Sequence, residues 1–279
     1  MTTSADVEDV ERCIAHRRIV RSFGSTITVE ANAPDLLERL TTRLPPLATR
    51  TQRASRPRLR LFVRDRGLCH CGREHASPAL FREGFFQASG ELDQLLDWFG
   101  RAAKLFIAER APDRVFVHAG VVAVRDRLVV IPGRSMSGKT TLVLALMQCG
   151  ATYYSDEYAV VDGNGLVHPY PQPLGVRDGG WVQAPLDPES MGWVPGTRPL
   201  PMALVVTTEH VAGTTYHPRE LSPGQVAFDL MQHAVPIRRA PERALDYLVK
   251  ASAHARGVSG ARGDAAEAAR AIIAAVARA

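Results

Sequence analysis

The sequence predicts an α/β protein with a phosphate-loop domain over 101–279 and a small α+β domain over 1–100. Two observations carry this. Gly133-Arg134-Ser135-Met136-Ser137-Gly138-Lys139-Thr140 fits the pattern G-x-x-x-x-G-K-[ST] at every specified position. The motif also has the flanks it needs: an apolar run over 128–131 that reads as a buried strand, and an apolar run over 142–147 that reads as a helix. In that setting the strand delivers the chain into a tight loop. Backbone N–H groups close around phosphate oxygens, and the helix N-terminus faces the anion. Lys139 then reaches the β- and γ-phosphates and the Thr140 hydroxyl holds Mg²⁺. Lysine otherwise occurs only at Lys104 and Lys250, so a chance match is improbable.

The elements follow in order. Residues 7–18 read as a short helix or tail, and 19–23 and 27–29 as strands about a turn at Gly24. Pro34-Asp35 opens a helix with Leu36, Leu37, Leu40 and Leu44 on one stripe, ending at Pro45-Pro46. Residues 59–63 alternate as a strand, Asp65-Arg66-Gly67 reads as a hairpin turn, and 68–71 as the return. Ser89 is placed to cap a long helix over 91–109, with Leu92, Leu95, Leu96, Phe99, Ala103 and Phe106 on one face. The domain boundary is set within this helix, near residue 100.

A hairpin follows, with strands over 114–124 and 128–132 about Arg125-Asp126-Arg127. Centring it on Asp126 sets His118 opposite Arg134, beside the start of the loop. After the loop helix, Cys149-Gly150 is a stop. The chain returns through 151–154 to Asp156 and Glu157, which can therefore lie near the loop. Then come a strand over 158–161, a turn over 162–165, a short strand over 173–177 that carries Arg177, and a Pro/Gly-rich loop or lid over 185–201. A buried strand over 202–208 ends at Glu209. Helices are expected after Ser222-Pro223, over 241–253 and over 264–279.

With 46% hydrophobic and 23% charged residues, the composition is that of an ordinary globular protein. The net charge of +5 is concentrated between 43 and 73, where arginines recur against the single acid Asp65. Such a cluster attracts RNA, acidic membranes or acidic peptides. Phe62 is the one phenyl, phenol or indole ring between 43 and 73, so stacking residues do not interleave with the arginines, which favours a solvated surface over a nucleic-acid site. The first residues lack the layout of a secretion signal. The apolar stretch 115–124 is too short to cross a bilayer and is broken by His118. A cytoplasmic location, away from membranes, is the expectation.

In that compartment Cys13, Cys69, Cys71 and Cys149 suggest no disulfide framework. Cys69-His70-Cys71 with His75 nearby raises the question of zinc. On a strand, however, Cys69 and Cys71 share one face while His70 points to the other. No second cysteine pair completes a four-ligand set. The sequence favours cysteines without a metal.

Phosphoryl transfer requires positioning, neutralisation of phosphate charge and a carboxylate to accept the proton of the attacking hydroxyl. Asp156 and Glu157 can divide that work, one as base and one holding Mg²⁺; the alternative is a pair that merely caps a strand end. The run ending at Glu209 is a better positional match to the second acidic motif of common ATPases, but it supplies a lone glutamate.

His118-Ala119-Gly120-Val121-Val122, the loop from Gly133 to Thr141, and Tyr154-Ser155-Asp156-Glu157-Tyr158 together resemble the catalytic half of HPr kinase/phosphorylase. They are closer still to short HPr kinase-related proteins of bacterial peptide-modification systems, including kinases that phosphorylate a serine on lasso peptide precursors. The resemblance covers roughly 100–279. It implies a fold similar to phosphoenolpyruvate carboxykinase, with ATP bound by Gly133, Arg134, Ser135, Met136, Ser137, Gly138, Lys139, Thr140 and Thr141. It further implies Asp156 as the base, Thr140 and Glu157 as metal ligands, and His118 beside the transferred phosphate. Arg177 would contact the γ-phosphate or the substrate.

The chain departs from the family in having Asp156-Glu157 where the full-length enzyme has Asp-Asp, and in lacking the glycine-rich signature linked to phosphorolysis. Full-length HPr kinases are hexamers, which leaves a homo-oligomer open. The expected activity is an ATP- and Mg²⁺-dependent kinase acting on a Ser/Thr hydroxyl of a peptide or protein, such as a ribosomally made precursor. The alternatives are a nucleotide-dependent regulatory ATPase module without an acceptor, and a small-molecule kinase.

Overall fold

The computed structural model describes residues 10–134, 137–177 and 183–277. The chain is mixed α/β and divides into two compact units, Met1–Asp113 and Arg114–Ala279. The division falls past the end of the long helix, not near residue 100 within it.

In the first unit a helical turn at 10–13 leads into β1 (His16–Ser22) and β2 (Ser25–Ala31). Phe23 and Gly24 join the two strands with φ of 44° and 79°. Positive φ at both central residues is the turn whose twist suits a two-residue hairpin. Helix α1 (Pro34–Thr41) and the strands β3 (Thr49–Thr51), β4 (Arg58–Arg64), β5 (Gly67–Leu68), β6 (Glu74–His75), β7 (Ala79–Arg82) and β8 (Phe85–Ser89) follow, then helix α2 (Leu92–Arg110). Six of the strands form one sheet in the order β3-β1-β2-β4-β7-β8. Alternate residues Ile27, Val29 and Ala31 of β2 and Leu59, Leu61 and Val63 of β4 are buried, as a one-sided strand pattern requires.

Helix α2 packs on β4 and β7. Its N-cap is Glu91 without a side-chain cap, so Ser89 does not cap it. A missing cap costs about 1 kcal/mol. Burial of Leu96, Phe99 and Ile107 contributes roughly 1.5–3 kcal/mol each and outweighs it.

The expected return strand at 68–71 is absent. β4 instead pairs with β2 in parallel and with β7 antiparallel, and β5 pairs with β6 in a two-stranded ribbon. Residues 70–72 form the turn of that ribbon, with Gly72 at φ 82°. Part of the arginine cluster is held within the unit. Arg60 bonds Glu11 and the fully buried Glu30, and Arg43 pairs with Asp97 at 2.7 Å.

The second unit contains β9 (Val115–Val124), β10 (Arg127–Pro132), α3 (Lys139–Gln148), β11 (Thr152–Ser155), β12 (Tyr158–Val161), β13 (Leu166–His168), β14 (Leu174–Arg177), β15 (Gln183–Leu186), β16 (Leu200–His210), β17 (Arg219–Leu221), α4 (Pro223–Gln232), α5 (Pro241–Ser252), β18 (Arg256–Arg262) and α6 (Ala265–Ala277). Its main sheet is mixed. β16 runs parallel to both β10 and β18, while β9 is antiparallel to β10, β11 and β12.

Strand β9 organises the unit because both of its faces are covered. Val115, Val117, Ala119 and Val121 meet one apolar cluster with α4 and α5; Val122 and Val124 meet the other, with α3 and α6. His118 and Gly120 share the parity of Val122 and so lie on the α3 face. Ser222 and Gln225 form the capping box that starts α4. The Pro/Gly-rich stretch before β16 is fastened to β11: Gly196 N–H donates to Tyr153 O (2.8 Å) and the Tyr154 hydroxyl to Arg198 O (3.1 Å). It is a strap as well as a loop.

Candidate active site

The hairpin of β9 and β10 turns on two residues, Arg125 and Asp126, at φ 49° and 63°. The register is therefore one residue from the expected one. Pro132 pairs with Ala119, and Gly133 N–H donates to His118 O (3.2 Å). His118 lies opposite Gly133, not Arg134. Two non-glycine residues in the left-handed region make a two-residue turn where the sequence suggests three.

From Gly133 the chain passes through the loop to Gly138, whose φ of 81° caps α3 without any side-chain hydrogen bond. That conformation favours glycine. The first N–H groups of α3 consequently have no partner from a capping side chain. Lys139 Nζ donates to the carbonyls of Gly133 (2.9 Å) and Arg134 (2.6 Å), folding back along the loop. Arg134 and Thr141 are exposed. The Ser137 hydroxyl is buried with no hydrogen-bond partner among the described residues. Ser135 and Met136 lie outside the described residues, as does the side chain of Arg177, whose backbone ends β14.

Asp156 and Glu157 form the short link between β11 and β12, both of which pair with β9. Pairing to one common strand is what returns the carboxylates to the loop. The Ser155 hydroxyl accepts from the N–H groups of Glu157 (3.1 Å) and Tyr158 (2.9 Å) and sets the turn. Ala119 N–H donates to Glu157 O (3.2 Å). Asp156 Oδ2 accepts a hydrogen bond from the Thr140 hydroxyl at 2.6 Å, while Oδ1 is buried without a partner among the described residues.

Burial pushes the Asp156 carboxyl up to about 6; the Thr140 bond and the Lys139 charge act against this, and Glu157 adds to it. Burial lowers Lys139, with the Asp156 charge opposing. His118 is also lowered, chiefly by burial, with Glu157 opposing and Lys139 adding. Its ring lies 4.8 Å from that of Tyr158. His118, Lys139, Thr140, Asp156 and Glu157 thus form one interacting group. Glu209, at the far end of β16, is exposed.

Two further residues adjoin the site without any signal in the local sequence. Arg262, only 1% exposed, donates from a guanidinium nitrogen to Gly138 O at 2.7 Å. It fixes the cap of α3 from the end of β18. His233 accepts from His118 N–H through its carbonyl (2.9 Å). Its ring is lowered first by burial, then by the charges of Lys139, His118 and Arg134.

Hard oxygen donors (the Thr140 hydroxyl, the unpartnered Asp156 Oδ1 and the Glu157 carboxylate) are the chemistry Mg²⁺ takes. A bare helix N-terminus beside a lysine is the chemistry a phosphate takes. The fold and the site define a mixed α/β unit with a glycine-rich loop facing a buried carboxylate.

No protein-family profile matches the chain, and no curated protein sequence matches it. Among solved structures it has a weak resemblance of fold to the HPr(Ser) kinase/phosphatase from Coxiella burnetii. That match is 13% identical with a TM-score of 0.34, over 58% of this chain and 94% of that one. Among the described residues no helix is long and apolar enough to cross a membrane.

Proposed function

We propose that the second unit is an ATP- and Mg²⁺-dependent kinase that transfers the γ-phosphate to a Ser or Thr hydroxyl of a peptide or protein. The observation that carries the reading is Asp156: a mostly buried carboxyl raised to about 6, bonded to Thr140 at the start of the loop helix, with one oxygen unpartnered. A structural carboxylate would have both oxygens satisfied. A base poised near neutrality is what abstraction of a hydroxyl proton requires.

In this reading the loop from Gly133 to Thr140 and the N–H groups of α3 cradle the phosphates. Lys139 leaves its two carbonyl partners for phosphate oxygens, and the Ser137 hydroxyl gains the partner it lacks. Thr140 and Glu157 would hold Mg²⁺, which when bound neutralises charge on the phosphates. Asp156 accepts the hydroxyl proton as the acceptor oxygen forms its bond to the γ-phosphorus. The bond from that phosphorus to the bridging oxygen breaks, and ADP leaves with the electron pair. His118, kept neutral by burial, donates a hydrogen bond to the transferred group. Arg262 acts only through Gly138, as a positioning residue.

The test is incubation with γ-labelled ATP, Mg²⁺ and peptides encoded beside the gene, comparing the wild type with Asp156→Asn. Acid-stable label on a serine or threonine, lost in the variant, is expected. Release of phosphate to water alone, undiminished in the variant, would overturn the proposal and favour a regulatory ATPase.

A further inference from the structure

The first unit holds a cluster of thiols and imidazole that is independent of the kinase reading. Cys13 comes from the helical turn at 10–13, Cys69 and Cys71 from the turn of the β5–β6 ribbon, and His75 from β6. The ligand atoms of Cys13, Cys69 and His75 all lie within 4.8 Å of one another. Cys13 Sγ is 3.7 Å from Cys71 Sγ and 3.4 Å from His75 Nε2. Cys71 Sγ is 2.7 Å from Cys69 Sγ.

These separations suit a tetrahedral ion. Bonds of about 2.3 Å to sulfur and about 2.0–2.1 Å to nitrogen give edges of about 3.8 Å between sulfurs and about 3.6 Å between sulfur and nitrogen. The Cys13–Cys71 and Cys13–His75 distances lie within a few tenths of an ångström of those edges. The Cys69–Cys71 pair is too close for unbonded sulfurs and too long for a disulfide. Cys71 stands outside the trio that lies within 4.8 Å, touching Cys13 and Cys69, and a swing of its sulfur away from Cys69 and toward His75 completes the tetrahedron.

The expectation of metal-free cysteines rested on 69–71 being a strand. It is a turn: Gly72 N–H donates to Cys69 O (2.9 Å), Cys69 N–H to Arg73 O (2.7 Å), and Cys71 N–H reaches Cys69 Sγ at 3.4 Å. A turn lets both sulfurs face one point, and the backbone N–H to sulfur contact favours a thiolate. The fourth ligand comes from far upstream, where spacing rules do not look. His70 does not join the group, apart from a long 4.0 Å contact of its Nδ1 to Cys69 Sγ.

The surroundings agree. Cys13 and Cys69 are buried with Val10, Phe62, Ala79 and Phe81. Three thiolates and a neutral imidazole around a divalent ion leave one negative charge. Arg64 supplies the counter-charge: its guanidinium lies 5.6 Å from the ring centre of Phe81, which packs with Cys13 and Cys69, and its Nε makes no hydrogen bond among the described residues. The β5–β6 ribbon has two residues per strand and an exposed Leu68, too little to hold a fold alone.

We propose that Cys13, Cys69, Cys71 and His75 bind a structural zinc ion that ties the ribbon to the N-terminal turn. Closed Cys₃His sites with no open position are structural, and soft thiolates select zinc.

The test uses the full chain, purified under reducing conditions without added metal and analysed by plasma mass spectrometry. About one zinc per chain is expected for a single four-ligand site. Cys149→Ser, a change at an exposed thiol in the other unit, should leave the zinc content unchanged. His75→Ala should retain zinc at least roughly tenfold less well against a competing chelator. Since the ligand variants can fail to fold, Co²⁺ exchange into the wild type gives a second readout: tetrahedral d–d bands with thiolate charge-transfer absorption. Zinc well below stoichiometric together with no tetrahedral Co²⁺ spectrum would overturn the proposal, as would a Cys69–Cys71 disulfide in the native protein.

Discussion

Replacing Asp156 with asparagine removes a charge that the folded second unit holds at a cost. In the unfolded chain this carboxyl titrates near its ordinary 3.8; in the folded unit it titrates at about 6. The folded state therefore binds the proton more tightly. The group's contribution to stability is fully present below about pH 4, is lost as pH rises toward 6, and is absent above that. The difference of about 2 units corresponds to roughly 3 kcal/mol near neutral pH. Asparagine keeps a hydrogen bond to Thr140, and the charge-assisted strength of that bond is already contained in the value of about 6. A net gain of roughly 3 kcal/mol follows, or roughly 6–12 °C in the transition of a unit of this size. At about pH 5 the gain shrinks to roughly 1.5 kcal/mol, because the folded wild-type carboxyl is then largely protonated while the unfolded one is largely ionised. Calorimetric melting of both proteins at about pH 7.5 and 5 measures this. An unchanged or lower transition in the variant at the higher pH, or an equal gain at both, refutes the account of Asp156 as a destabilised buried acid. The same substitution is expected to abolish transfer, so stability and activity move in opposite directions.

Two other expectations bear on the same site. The rate of transfer at subsaturating substrate should rise through about pH 6 as Asp156 gives up its proton and then level off; a rate that stays flat from about pH 5 to 8 contradicts its role as base. Gly120→Ala would set a Cβ 2.6 Å from Val143 Cγ2, forcing α3 away from β9. A loss of about 1–3 kcal/mol in denaturant unfolding, with reduced transfer, is expected, and wild-type stability would show that the helix does not need this close approach.

The motif was readable because its chemistry is local: a strand, a loop with two glycines, a lysine and a helix within twenty positions of one another. The return of Asp156 and Glu157 followed from the same logic, since a helix that leaves the loop must be followed by a chain that comes back. The His118 register was one residue out because Arg125 and Asp126 adopt left-handed φ without glycine, and composition does not announce such a turn. Arg262 and His233 were not legible at all. Arg262 reaches Gly138 only because β18 runs parallel to β16, a pairing set by tertiary packing and not by any local pattern. The turn at 69–72 was misread for a related reason. Alternating Cys-His-Cys looks like a strand until Gly72 turns the chain, and Cys13 is brought near by folding alone.

Every step of the proposed reaction rests on phosphate binding at the loop from Gly133 to Thr140. Titration calorimetry of the full chain with ATP and Mg²⁺ tests it most directly, with Lys139→Ala as the comparison. Saturable binding that depends on Mg²⁺ and weakens by at least roughly tenfold in the variant is predicted, since a charge-assisted contact of this kind contributes about 1.5–3 kcal/mol. No saturable binding to the wild type, or equal binding by the variant, would contradict the assignment.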